Sequence, residues 1–116
     1  MKLMEEGLLL RIFIGEADTY AGKPLYEQIV RKAKELNLAG ATVLRGIMGF
    51  GAHSRVHTAR FLRLSEDMPL VIEIVDSREY IDLLLPFLEE VVGEGMITLE
   101  KVQIVQYGQH RKGRER

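Results

Sequence analysis

The chain has 116 residues, 47% hydrophobic and 28% charged, with a formal net charge of -1. That suits one soluble domain over 1–116 and excludes a bulk nucleic-acid binder, which needs a basic footprint. Cysteine is absent, which rules out disulfides and thiolate metal sites. The run Leu8-Leu9-Leu10 follows Glu5 and Glu6. It is too short for a membrane span and unlike a signal peptide, so the expected location is cytoplasmic.

In chain order, residues 8–14 are rich in strand formers. Alternation puts Leu8, Leu10, Ile12 and Ile14 on one face and Leu9, Arg11 and Phe13 on the other. Both faces are largely apolar, which predicts a central strand. A loop follows over 15–22. Lys23-Pro24 is expected to open a helix, because proline is tolerated in a first turn. Leu25, Ile29, Ala33 and Leu36 repeat at helical spacing, and Asn37 and Gly40 are candidate terminators.

A second strand is expected from Ala41 to Met48, ending at Gly49-Phe50-Gly51. Phe61 to Leu64 reads as strand, as does Leu70 to Val75, with a turn over Ser65 to Pro69 between them. Asp76 reads as the N-cap of the second helix, with Glu79 completing a capping box. Ile81, Leu84, Leu85, Leu88 and Val91 form its apolar stripe, and Pro86 is expected to kink it. Gly93-Glu94-Gly95 stops the helix, and Met96 to Tyr107 reads as the last strand. The core is thus expected over about 8–107, with a flexible basic tail at 108–116.

The order β-α-β-β-α-β predicts an α+β, ferredoxin-like fold: a four-stranded antiparallel sheet with both helices on one face. The uncovered face also carries apolar side chains, so a partner subunit is expected there. Arg11, Arg45 and Glu73 can lie on that face, where Glu73 would pair with one of these arginines or with a neighbour's.

Several residues could carry chemistry. Gly49 and Gly51 permit positive φ and close backbone approach, and the turn they form can act as an anion-binding nest. Read structurally, they are a bulge and a turn. Arg45, Arg55 and Arg60 could hold phosphate oxygens, since the guanidinium fork suits them, or could serve solubility and ion pairing. His53 and His57 stand four apart, as two ligands of a divalent metal would on one helical turn. They have no third ligand at a telling distance and read more readily as exposed loop histidines. Glu73 could be a general base or half of an ion pair. No nucleophile motif, paired-carboxylate signature or Walker loop is present.

The segment Arg45-Gly46-x-x-Gly49-Phe50-Gly51, with Ile14-Gly15-Glu16 upstream and Met68-Pro69 downstream, resembles the DUF190 (UPF0166) family of PII-like proteins. The resemblance covers residues 8 to 107. It implies a homotrimer that binds an adenine nucleotide in the cleft between neighbouring subunits. Carried onto this chain, the contacting elements are Gly49, Phe50 and Gly51 on one side, with Gly93, Glu94, Gly95 and Met96 facing them. On the chemistry of their side chains, Arg45, His53, Arg55 and His57 are the nearby candidate phosphate partners. Classical PII proteins carry a lysine where this chain has Met96, and two arginines near the end of the last strand where it has Val105-Gln106-Tyr107-Gly108-Gln109. The loop tyrosine that undergoes nucleotidylation is also not recognisable. AMP or ADP is therefore expected to compete well with ATP, and uridylylation control is not implied.

The resulting expectation is a non-enzymatic regulatory protein that requires no cofactor. It would signal to a protein target, such as a transporter or enzyme, through the loop after the second strand, without nucleic-acid binding or membrane insertion. Alternatives are a divalent-metal binder resembling the CutA proteins, using His53 and His57, and an enzyme using Glu73.

Overall fold

The computed structural model describes residues 5–51, 57–58 and 67–106. Four strands form the main sheet: β1 (Glu5–Gly15), β4 (Thr42–Arg45), β7 (Pro69–Asp76) and β8 (Met96–Ile104). Short ribbons are made by β2 (Thr19–Tyr20) with β3 (Lys23–Pro24), and by β5 (Met48–Gly49) with β6 (His57–Thr58). The helices are α1 (Leu25–Glu35) and α2 (Arg78–Val91). The sheet order is β4-β7-β1-β8, and every pairing is antiparallel. This is the ferredoxin-like arrangement, with β1 central as its two apolar faces predict. No helix among the described residues is long and apolar enough to cross a membrane.

The period-2 pattern decides which face is covered. Leu8, Leu10, Ile12 and Ile14 of β1 are buried, as are Leu70, Ile72 and Ile74 of β7. They pack with Leu25, Ile29 and Ala33 of α1 and with Ile81, Leu84, Leu88 and Val91 of α2. Fully burying such a side chain contributes about 1.5–3 kcal/mol relative to leaving it in water. These burials fix β1 and β7 in register, because a one-residue slip would turn every aliphatic outward.

The helix ends have local causes. Asn37 takes a left-handed φ of 66°. Its N–H donates to the Lys34 carbonyl, and the Leu38 N–H donates to the Ala33 carbonyl, both at 3.0 Å. This is a Schellman closure, sealed by the buried Leu38. Helix α2 runs through Pro86 and ends at Val91, with Val92 as its C-cap just before Gly93.

Five expectations need correction. Lys23-Pro24 belongs to the β2–β3 ribbon, and α1 begins only at Leu25. Ala21 and Gly22 both have positive φ, which suits the two-residue turn of that ribbon. Asp76 is not the N-cap of α2; Ser77 holds that position, without a side-chain capping bond. Asp76 instead ends β7, 1% exposed, and accepts the N–H groups of Ala39 at 2.8 Å and Ser77 at 2.7 Å. It joins the loop after α1 to the start of α2.

The second strand stops at Arg45 rather than Met48. The Gly46 N–H donates to the Pro69 carbonyl at 2.7 Å, and a Cβ on Gly46 would lie 2.8 Å from the Pro69 ring. The chain turns there because proline and glycine pack backbone to ring. Finally, Arg45 lies opposite Leu70 in the ladder, on the helix side of the sheet and not on its open face. The last strand also ends earlier than expected, at Ile104 and not Tyr107, with Val105 and Gln106 following outside it. The proposed strand at Phe61 to Leu64, the tail 108–116 and Tyr107 itself lie outside the described residues.

Candidate functional site: a cleft at the ends of the central strands

The last residues of β1 meet the first residues of β7 and β8 at one end of the sheet. Gly15 pairs with Pro69, and Phe13 pairs with both Val71 and Met96. Around this corner lies a cavity of about 260 Å³. Gly49, Phe50 and Gly51 line it on one side, and Glu94 and Gly95 line it on another. The two glycine turns singled out in the sequence therefore share one cleft. Its floor and walls add Phe13, Ile14, Gly15, Pro69, Leu70 and Val71, and Asp18 and Asp67 also line it. A second cavity of about 270 Å³ lies behind the Glu94-Gly95 turn and reaches Gly93, Leu25 and Val91.

The loops at this corner are tied by carboxylates. Asp18 Oδ2 accepts the Gly15 N–H at 2.9 Å, and Asp67 Oδ1 accepts the Ala17 N–H at 2.9 Å. The Glu16 N–H donates to the Met68 carbonyl at 2.8 Å, and the Leu25 N–H to the Asp18 carbonyl at 2.8 Å. These bonds hold the segment after β1 against the start of β7. They give the cleft a fixed edge, because backbone groups that would otherwise seek water are paired.

Space is tight at Gly49 and excludes a side chain at Gly95. A Cβ on Gly49 would sit 3.1 Å from the Pro69 ring. One on Gly95 would collide with the Phe13 carbonyl oxygen and lie 2.9 Å from Val92 Cγ1. Among the described residues the glycine with positive φ is Gly22, in the β2–β3 turn and not in the anticipated nest. Close backbone approach, and not a left-handed backbone at Gly49 or Gly95, thus explains these two positions.

The remaining candidates are placed as follows. Arg45 donates from Nε to Glu16 Oε1 at 2.9 Å, beside the cleft but outside its lining. Phe50 is exposed at the mouth, and Met96 is exposed at the start of β8. The His57 backbone pairs with Gly49 in the β5–β6 ribbon, which returns the chain to the cleft. His53, Arg55 and Arg60 lie outside the described residues. Glu73 is on the open sheet face and accepts from Arg11 Nε at 3.0 Å, as expected of an ion pair. Arg11 also donates from Nη1 to Glu100 Oε1 at 2.9 Å. The hydrogen bond to Glu73 is the main cause holding the Arg11 guanidinium above its ordinary pKa, with Glu100 adding to it against partial desolvation.

Phe13, Asp18 and Asp67 were not anticipated as lining residues. Ile14, Gly15 and Pro69 stand in the segments that carry the family resemblance, and that was the signal that could have placed them in the site. Asp18 and Asp67 give no such signal, since acidic loop residues are ordinary in any soluble chain.

The DUF190 family profile, described as Uncharacterized ACR, matches residues 7–104. A UPF0166 protein of Aquifex aeolicus is 41% identical over 99 residues, covering 84% of this chain and 91% of that one. Another from Methanocaldococcus jannaschii is 36% identical over 97 residues, covering 83% and 89%. Among solved structures, the nitrogen regulatory PII-like protein CPII of Thiomonas intermedia K12, bound to ADP, AMP and bicarbonate, superposes with a TM-score of 0.66. It is 18% identical over 90% of this chain and 92% of its own. Its apo form gives a TM-score of 0.59 at 16% identity, covering 92% and 100%. The matching profile, the relatives and the shared architecture together show that this chain belongs to the DUF190 (UPF0166) family and has the PII-like fold.

Proposed function

We propose that this protein is a non-enzymatic PII-like regulator that binds an adenine nucleotide in the cleft formed by Gly49-Phe50-Gly51 and Glu94-Gly95. One observation carries the reading: two glycine turns far apart in sequence line a single cavity at the end of the central strands. Its apolar wall of Phe13, Phe50, Pro69 and Val71 suits a flat heterocycle. The adenine nucleotides held by CPII, a protein of the same fold, support the ligand class.

The sheet supports a reading of the assembly. Leu44, Phe13 and Val75 project from the helix-free face and are 38–48% exposed. Phe13 and Val71 belong both to that face and to the cleft. A homotrimer with these faces inward would cover the apolar surface and bring a neighbour to the cleft. The protein would act in the cytoplasm and signal to a protein target through the segment after β5.

Isothermal titration calorimetry with AMP, ADP and ATP tests the ligand, and sedimentation equilibrium tests the assembly. Micromolar affinity, about -8 kcal/mol, and three times the 13.2 kDa chain mass are expected. A β-branched residue at a lining glycine, Gly51→Val, should abolish binding and leave the trimer. No heat with any nucleotide, or equal heat from Gly51→Val, would refute the site.

A further inference from the structure

We infer that Arg45 and Glu16 form a positioning pair that holds the Gly49-Phe50-Gly51 turn in place for the ligand, so that Arg45 serves the site through Glu16 and not as a phosphate ligand. The inference rests on the nucleotide reading above and deepens it, by giving one of the candidate phosphate partners a different task. Arg45 ends β4 and donates from Nε to Glu16 Oε1 at 2.9 Å. Arg45 and Ile14 both stand opposite Leu70, on either side of β7. The pair therefore spans β7 at its first residues and links β4 to the segment that follows β1.

Both ends of this link lead into the cleft. Next to Arg45, the Gly46 N–H donates to the Pro69 carbonyl at 2.7 Å. A Cβ on Gly46 would lie 2.8 Å from the Pro69 ring, and one on Gly49 3.1 Å from it, so this stretch wraps around that ring. Phe50 and Gly51 then line the cavity. At the other end, the Glu16 N–H donates to the Met68 carbonyl at 2.8 Å, and the Ala17 N–H to Asp67 Oδ1 at 2.9 Å. Gly15, Asp67 and Pro69 line the same cavity, whereas Arg45 stands outside the lining. The pair thus braces three segments, distant in sequence, around Pro69. A cleft already in its binding shape need not be ordered by the ligand, and affinity rises by the cost avoided. The two side chains are 41% and 30% exposed, so solvent screens the pair and its effect is modest.

The test is calorimetry of adenosine and ADP with the wild type, Arg45→Met, Glu16→Ala and the double variant, beside hydrogen exchange without ligand. Each single variant should weaken adenosine and ADP by the same factor, about two- to fivefold. The double variant should be no weaker than either single one, because the same interaction is lost in all three. Without ligand, the Gly46 and Glu16 amides should exchange faster in every variant. The effect on adenosine, which is uncharged, should shrink at high salt, where the pair is screened. A loss confined to Arg45→Met and to ADP would make Arg45 a phosphate ligand and overturn the inference. Unchanged affinities in Glu16→Ala, or factors that multiply in the double variant, would overturn it too. If the wild type binds neither compound, the nucleotide reading fails and the pair's service to it fails with it. Unchanged exchange would remove the brace itself, whatever binds.

Discussion

The two faces of the main sheet are built from the same strands by the same alternation, yet they obey different rules. On the helix side, Leu10, Ile12 and Ile72 are fully buried. On the other side, Arg11 bridges Glu73 and Glu100 among Leu44, Phe13 and Val75, all partly exposed. The first face is saturated by its own chain. The second is a mixed surface whose charges are already paired, so its apolar residues can meet another copy without leaving an unmatched ion. Stability should therefore depend on the first face, and the proposed assembly and ligand binding on the second.

The largest effect expected is on the covered face. Leu10→Ala should cost about 3 kcal/mol in urea unfolding, since the two helices packed over this face limit collapse of the cavity. A loss under 1 kcal/mol would mean that this face is not closely packed. Asp76→Ala comes next. It removes the acceptor of two backbone donors at a position only 1% exposed, and about 2 kcal/mol should be lost. Hydrogen exchange should show the Ala39 amide losing protection first.

Val75→Glu tests the open face. It should leave the unfolding free energy of the single chain within about 0.5 kcal/mol, while sedimentation shows the assembly dissociating. If assembly survives intact, the open face is not where copies meet. Glu73→Gln sharpens the same point. The Arg11–Glu73 pair is about one-third exposed in the single chain. Its loss should thus be minor in a dissociated variant and larger wherever a neighbour covers the face. Comparing Glu73→Gln with and without Val75→Glu measures that difference.

The smallest effect lies away from both faces. The Tyr20 hydroxyl donates to Glu90 Oε2 at 2.6 Å, and this bond is the main cause raising the phenol above its ordinary pKa near 10. A raised pKa means that the folded chain holds the proton more tightly than the unfolded one. The contribution is fully present below pH of about 10 and is lost as pH rises through the folded value. Thermal melts of wild type and Tyr20→Phe should therefore converge above that pH; a difference that persists there would show that the bond does not titrate as described.

Much of this was legible in the sequence where one local property decided the outcome. Alternation in residues 8–14 chose the buried set Leu8, Leu10, Ile12 and Ile14. Helical spacing chose Ile81, Leu84, Leu88 and Val91, and Asn37 marked the end of α1. The two glycine turns were visible as punctuation, and the family resemblance paired them across the site.

Tertiary contacts decided what local chemistry left open. Pro24 is compatible with a first helical turn, but pairing of Lys23-Pro24 with Thr19-Tyr20 claims it for a ribbon. Asp76 has the chemistry of a cap, but its position at the buried end of β7 gives it the distant Ala39 amide instead. Arg45 has the chemistry to pair with a phosphate or a carboxylate, and the register with Leu70 and the arrival of Glu16 set its side of the sheet and its partner within the chain. Asp18 and Asp67 acquire meaning only when β1 and β7 bring their loops together. Periodicity and turn chemistry are properties of neighbouring residues, so the sequence alone determined the strands, the helices and the covered face. The cleft depends on groups brought together across the sheet, and that only the folded chain could decide.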